Sequence, residues 1–273
     1  MNCTHLSSLA AIHCSGPDAA AFLQAQLSAD IGALEPDEAT FACYCSARGQ
    51  VLALLLVCRQ SEGFVLIGAA ELLPTILQRL RLYVLRAKVV FTPGSDTVYG
   101  LGDAPANDRG AFTPGASATG DLKLAYAIAP PQRCDGDAET WKARELSRGV
   151  AWLSAQTTER FIPQMLGFET IGAVSFAKGC YPGQEIVARA HYLGTVKRKP
   201  LLLALQSAAT ITPGDKLEIQ RGEEWLEAQV IDSARADAAR QIVFTVAPAD
   251  ATDETDAVTA VRFEGRLYGC ATI

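Results

Sequence analysis

Eight consecutive apolar residues, 51–58, form the longest such run in the chain and set the strictest limit on how it folds. A membrane-spanning helix needs about 20 residues of this kind, so the run is too short to cross a bilayer. It reads instead as a strand covered on both faces. Phe41 and Tyr44 before it are also strand-like, and Ala47-Arg48-Gly49-Gln50 makes a turn between the two. A hairpin with one deeply buried arm is therefore expected. The chain has the material to cover it, because 49% of its 273 residues are apolar and only 20% are charged. That composition excludes a disordered chain and suits about two domains.

Local patterns extend the reading along the chain. Ser15 or Gly16 as cap, followed by Pro17 and Asp18, predicts a helix that turns Phe22, Leu23 and Leu27 inward and frays near Asp30. Residues 63–67 read as a strand, 71–83 as an amphipathic helix through Leu72, Leu73, Ile76, Leu77 and Leu80, and 87–91 as a strand. Residues 102–120 are loop-like in composition, 122–129 a strand, 130–137 a loop, and 141–146 a short helix. After Pro200 the texture changes. Short strands at 201–205, 216–220, 225–231, 241–246 and 258–263 alternate with turns such as Pro213-Gly214 and Arg221-Gly222. That spacing predicts a small β-barrel or sandwich. Two domains are expected, at 1–198 and 199–273.

The net charge is -6, which argues against a surface devoted to nucleic acid or anionic lipid. The opening residues carry no Lys or Arg ahead of an apolar stretch, so no secretory signal is readable and the chain is expected to be soluble and cytoplasmic. Eight cysteines, at 3, 14, 43, 45, 58, 134, 180 and 270, include no CxxC pair and are expected to be reduced thiols. Cys43 and Cys45 share a strand face but lack further ligands nearby, and His5, His13 and His191 are scattered, so no metal site is expected. A Cys180–His191 pair would need the fold to bring the two together, and no third residue to orient the histidine is visible. P-loop and GxGxxG patterns are absent.

One segment stands apart: Lys178-Gly179-Cys180-Tyr181-Pro182-Gly183-Gln184-Glu185, continued by Ala188-Arg189, Tyr192 and Lys197-Arg198-Lys199. Gly179 and Gly183 on either side of a cysteine permit tight backbone geometry and close approach of a ligand. Lys178 and Arg189 would favour the thiolate of Cys180 if the fold brings them near. Residues 184–189 look like a helix start. The plainer alternative is a turn whose cysteine fills space.

This segment resembles the signature of the YgfZ family, folate-binding proteins related to the T-protein (aminomethyltransferase) of the glycine cleavage system. The likeness continues upstream through Phe161-Ile162-Pro163-Gln164 to Trp141, and near the start through Gly16-x-Asp18 and Phe22-Leu23-Gln24-x-Gln26-Leu27-Ser28-x-Asp30. Cys43-x-Cys45-x-x-x-Gly49 matches it less specifically. The resemblance implies an α+β, T-protein-like fold of two α/β lobes and a C-terminal β-barrel arranged as a ring. It also implies a tetrahydrofolate-type cofactor and a role in iron–sulfur cluster assembly or repair, and thereby in tRNA modification.

Carried over residue by residue, the resemblance makes Cys180 the functional thiol, with Lys178 beside it, and places Trp141 at the folate. A folate offers flat rings for Trp141 to stack on and carboxylates for Arg189 and its basic neighbours to receive. Tyr192, Gln184 and Asp30 complete the expected cofactor contacts. Two positions depart from the pattern: the family's other folate-associated Trp falls at Leu9, and the T-protein's pterin-holding acid falls at Ser147.

Three functions follow as expectations. The first is a folate-binding accessory protein for iron–sulfur enzymes or their assembly factors, acting through Cys180. The alternative is a folate-dependent aminomethyl transferase of the T-protein type, with Asp30 as its acid. Direct RNA binding through residues 189–199 ranks last, since the pI is about 5.2.

Overall fold

The computed structural model describes residues 3–102, 111–114, 124–129, 133–194, 196–206, 210–237, 239–252 and 258–273. The buried arm is the centre of the first sheet. Strand β1 spans Cys3–His5 and β2 Leu9–Ser15, followed by helix α1 at Ala19–Gln26. The hairpin is β3 Ala39–Cys45 and β4 Val51–Gln60, then come β5 Gly63–Ala69, helix α2 Leu73–Tyr83 and β6 Val90–Pro93. The sheet runs β3-β4-β5-β2-β6, antiparallel throughout. All eight residues 51–58 are buried. Each Leu or Val so placed contributes about 1.5–3 kcal/mol, which is why the run forms an inner strand.

A second sheet joins β1 to β7 Thr97–Leu101, β9 Ala125–Ala129 and β8 Ala111–Phe112, in that order. Helix α3, Ala138–Leu146, follows it, capped by the Asp137 carboxylate, which accepts from Thr140 N at 2.7 Å. Residues 150–182 hold a 3-10 turn at Pro163–Leu166 and are otherwise irregular, yet are buried at Val150, Trp152, Phe161, Phe168 and Ile171, and lead into helix α4, Gln184–Tyr192. The remaining strands are β10 Arg198–Gln206, β11 Lys216–Arg221, β12 Glu224–Arg235, β13 Arg240–Pro248, β14 Ala260–Phe263 and β15 Arg266–Thr272. They close a barrel in the order β10-β13-β12-β11-β14-β15 around Leu203, Leu217, Ile219, Val230, Val243 and Val261. Helix α3 docks on this barrel: Arg235 N donates to Glu139 at 2.7 Å, and Lys142 meets Asp232.

Several expectations need correction. Helix α1 begins with Asp18 at its cap position, and that carboxylate is drawn away to accept Lys88 N at 2.7 Å. Gly16, at φ +112°, lies under the Lys88 carbonyl where a Cβ would stand 2.2 Å away, so it serves a backbone crossing and not a helix cap. The helix stops at Gln26, and Asp30 instead precedes a 3-10 turn at Ile31–Ala33. Cys3 and Cys134 are not free thiols: they form a disulfide, with Cα atoms 5.1 Å apart and 131 residues between them in sequence. The link exists because the segment before α3 returns to β1, where Gly136 N donates to Cys3 O at 2.9 Å. Within the expected loop at 102–120, Ala111–Phe112 pairs as a strand, and residues 103–110 and 115–120 lie outside the described residues. Residues 122–123 of the expected strand and 130–132 of the next loop lie outside them as well. Among the described residues, no helix is long and apolar enough to cross a membrane.

Candidate functional site

The distinctive segment is held at both ends and open in the middle. Ser28, just beyond α1, is fully buried and joins three pieces of chain. Its hydroxyl donates to Ala173 O at 2.5 Å and accepts from Cys43 N at 2.8 Å, and its carbonyl accepts from Ser175 N at 2.9 Å. The chain then reaches Lys178, whose ammonium donates to the carbonyls of Gln24 and Leu27 at the C-terminal end of α1. That end carries partial negative charge and orphan carbonyls, so a lysine is well matched to it. Burial lowers Lys178 to about 8, while the nearby Asp30 and Cys180 act in the opposite direction. The ammonium also stands 5.1 Å from the centre of the buried Tyr181 ring.

At the other end, Gly183 has φ +79° and opens α4. A Cβ there would stand 2.3 Å from Ser46 O and 2.6 Å from Gly49 Cα, so motif and hairpin turn touch backbone to backbone. Gly179 differs, since nothing lies within 4 Å of where its Cβ would be. Between the two anchors Cys180 is the exposed one of six free cysteines; Cys14, Cys43, Cys45 and Cys58 are buried and Cys270 is partly so. Burial pushes the Cys43 thiol up, and a hydrogen bond with Cys45 acts in the same direction.

A second polar assembly lies in the core, around α3. Glu145 is buried, and its Oε1 accepts from Tyr126 Oη at 2.7 Å and Trp152 Nε1 at 3.0 Å. Burial pushes its carboxyl up to about 7, against the pull of those hydrogen bonds. Trp141 packs edge-on against Tyr126 at 5.7 Å, with its Nε1 near the same carboxyl but without a hydrogen bond. Beside this cluster is a cavity of about 290 Å³ where three parts of the molecule meet. Ala69 comes from the first sheet and Ser8, Ala70 and Glu71 from the turns at its edge, Lys142 and Trp152 from α3 and beyond, and Pro213 and Asp232 from the barrel and its connections.

With this geometry in place, relatives can be compared. No family model matches the chain. An uncharacterised protein of Haemophilus influenzae is 32% identical over 228 residues, 82% of this chain and 80% of its own. The tRNA-modifying protein YgfZ of Yersinia pseudotuberculosis is 30% identical over 260 residues, 84% of this chain and 78% of that one. The chain belongs to the YgfZ family. Among solved structures, the glycine cleavage system aminomethyltransferase T of Bartonella henselae matches 99% of this chain and 84% of its own, at TM-score 0.69 and 16% identity. The fold is thus the α+β, T-protein-like one, with a closed six-stranded C-terminal barrel.

In this YgfZ-family chain, the residues singled out from sequence fall in separate places. Lys178, Cys180 and Asp30 are neighbours through charge, and Gln24 holds Asp30 by a 2.9 Å hydrogen bond. Asp30 also lines a hollow of about 450 Å³ with Asp37, Glu38, Thr40 and Ser175. Gln184, Arg189 and Tyr192 all lie on α4, with Arg189 and Tyr192 exposed. Trp141 is 4% exposed in the core and forms part of a separate 370 Å³ hollow with Arg144 and Asp137. Cys180 is not among the residues that line that hollow. His191 is engaged with other residues: its Nδ1 lies 3.2 Å from Glu169, and its ring stacks on Phe176 at 3.8 Å.

Leu9 is buried opposite Ala69, on the strand leading from the cavity wall. The exposed Ser147 hydroxyl donates back to Ala143 O at 2.8 Å. Sequence reasoning missed Trp152, Glu145 and Asp232. Glu145 carried one available signal, its position four residues after Trp141 on a helix, which places both on one face.

Proposed function

We propose that this protein binds a tetrahydrofolate-type cofactor in the cavity between the first sheet, α3 and the barrel, and serves iron–sulfur enzymes of tRNA modification through Cys180. The observation that carries the reading is the Cys180 loop. Lys178 and Gly183 hold it by contacts to α1 and the hairpin turn, and it presents a single thiol to solvent beside an unfilled space at Gly179. A cysteine that merely filled space would be buried, as Cys43 and Cys58 are. The names of the Yersinia relatives support the link to tRNA, and the shared fold supports a folate. Client enzymes or their assembly factors would be reached as protein partners, with no membrane involved.

A cofactor of this kind supplies one-carbon or pterin redox chemistry when bound. The protein's own residues would shape the site: Trp152 as an aromatic wall, Lys142 and Asp232 as polar contacts, and Ala69 and Ala70 leaving room for a ring. The test is complementation of cells that lack their own copy of the protein, beside a Trp fluorescence titration with tetrahydrofolate. Cys180→Ala should abolish complementation while leaving the titration unchanged. Full complementation by that variant removes the cysteine from the function, and no saturable titration removes the folate.

The T-protein fold favours a second reading, a folate-dependent aminomethyl transferase with Asp30 as its acid. Turnover of an aminomethyl donor with tetrahydrofolate that is lost in Asp30→Asn would establish it. The Ser147 hydroxyl, tied to its own helix, offers no carboxylate for that chemistry.

A further inference from the structure

The cavity contains a charged pair that the cysteine loop does not use. Lys142 Nζ and Asp232 Oδ1 meet at 2.5 Å on its wall, with side chains 27% and 3% exposed. Burial pushes the Asp232 carboxyl up, and Lys142 opposes this. Asp232 also accepts from Ser233 N at 2.9 Å and from the backbone of Trp152. A carboxylate has about four acceptor positions and an ammonium three N–H donors. One acceptor position on Asp232 and two donors on Lys142 are therefore free to meet a ligand. A buried ion pair adds little stability over apolar residues of the same size, so its position on a cavity wall calls for another explanation.

We infer that the Lys142–Asp232 pair recognises the lactam edge of a flat heterocycle, with Lys142 donating to the ring carbonyl and Asp232 accepting from the adjacent ring N–H. This rests on the tetrahydrofolate reading above, where the edge is the O4–N3 side of the pterin. The cavity's 290 Å³ lies at the low end of ligand pockets, which run from about 300 to 1,000 Å³. It accommodates the ring head, with the aminobenzoyl-glutamate tail outside. Trp152 and Leu153 flank the ring.

Of the other carboxylates nearby, Glu71 also lines the cavity but accepts from Ala155 N at 3.2 Å and has no ammonium paired with it among the described residues. Glu145 is engaged by Tyr126 and Trp152 and does not line the cavity, and position 147 is a serine. Here the barrel, not the turn after α3, supplies the acid. Its cationic partner, Lys142, stands one residue after Trp141.

The test is calorimetric titration of the full chain with three probes: tetrahydrofolate, its N3-methyl derivative, and 4-aminobenzoyl-glutamate. One charge-assisted hydrogen bond is worth roughly 1.5–3 kcal/mol, or about tenfold to a hundredfold in affinity. N3-methylation should weaken binding to the native protein by at least about tenfold, and to Asp232→Ala by less than about threefold. Tetrahydrofolate itself should lose about tenfold or more in that variant, while the tail fragment binds both proteins alike. Should Asp232→Ala fail to fold, the double variant Asp232→Leu with Lys142→Met replaces the pair by apolar groups of similar size and takes its place. An equal N3-methyl penalty in native and variant protein overturns the pair's role and leaves the folate reading intact. No binding of tetrahydrofolate to the native protein overturns both.

Discussion

The Cys180 loop and the Glu145 cluster use polar groups in opposite ways. In the loop, Lys178 and Gly183 work through the backbone: one satisfies carbonyls of α1, the other lets two turns touch. The Cys180 side chain is thereby left free and exposed. In the cluster, side chains satisfy side chains, and Tyr126 and Trp152 close around Glu145 until no solvent reaches it. The first arrangement presents a group to solvent, and the second fixes the wall of a cavity. A constellation of polar residues is thus read best by asking what its hydrogen bonds are attached to.

Four substitutions would break or sharpen this contrast. Gly183→Ala is the most disruptive, because its Cβ meets Ser46 O at 2.3 Å in a left-handed conformation. A loss of about 4 kcal/mol is expected in urea unfolding, from clash and strain together.

Glu145 gives the next effect. In the fold its carboxyl titrates near 7 instead of its ordinary 4.5, so folding takes up a proton between those values. Its contribution to stability is complete below pH 4.5 and falls as pH rises through 7, by on the order of 3 kcal/mol. Glu145→Gln should flatten the urea midpoint between pH 5 and 8. An unchanged slope would show that the carboxyl is already ionised within the core.

Lys178→Met leaves two carbonyls at the end of α1 without their ammonium and should cost about 2 kcal/mol. It should also change the rate at which Cys180 reacts with a disulfide reagent, since the lysine's charge reaches the thiol. Gly179→Ala is the smallest change. With open space at its Cβ it should shift stability by less than about 0.5 kcal/mol. A loss comparable to that of Gly183→Ala would mean that the two glycines do the same work.

Much of this was legible from local pattern. The hairpin at 41–57, the amphipathic helix near 71–83 and five of the six barrel strands follow from side-chain periodicity, which burial enforces. Strand β15 was not, because most of its side chains are exposed and it lacks the alternation of a half-buried strand. Strand β7 contains Gly100, a poor strand former whose reason lies across the fold: a Cβ there would stand 2.4 Å from the Trp141 ring. The Cys3–Cys134 link depends on how the chain returns to β1, and nothing in the spacing of the cysteines indicates it. The same holds for the site. The motif around Cys180 is contiguous and could be read directly. The cavity is assembled from Ser8, Ala69, Lys142, Trp152, Pro213 and Asp232, which no window of sequence contains together.

The interval from Lys178 to Gly183 has a mechanical consequence. It is a bridge with both piers set in other parts of the molecule, one in the end of a helix and one in a hairpin turn. Its length is therefore part of its design. One residue added would leave every side chain of the motif available and still carry the sulfur a few ångströms off its mark, since a residue spans about 3.3–3.6 Å of chain. Spacing, as much as chemical identity, is what places Cys180 where another molecule can meet it.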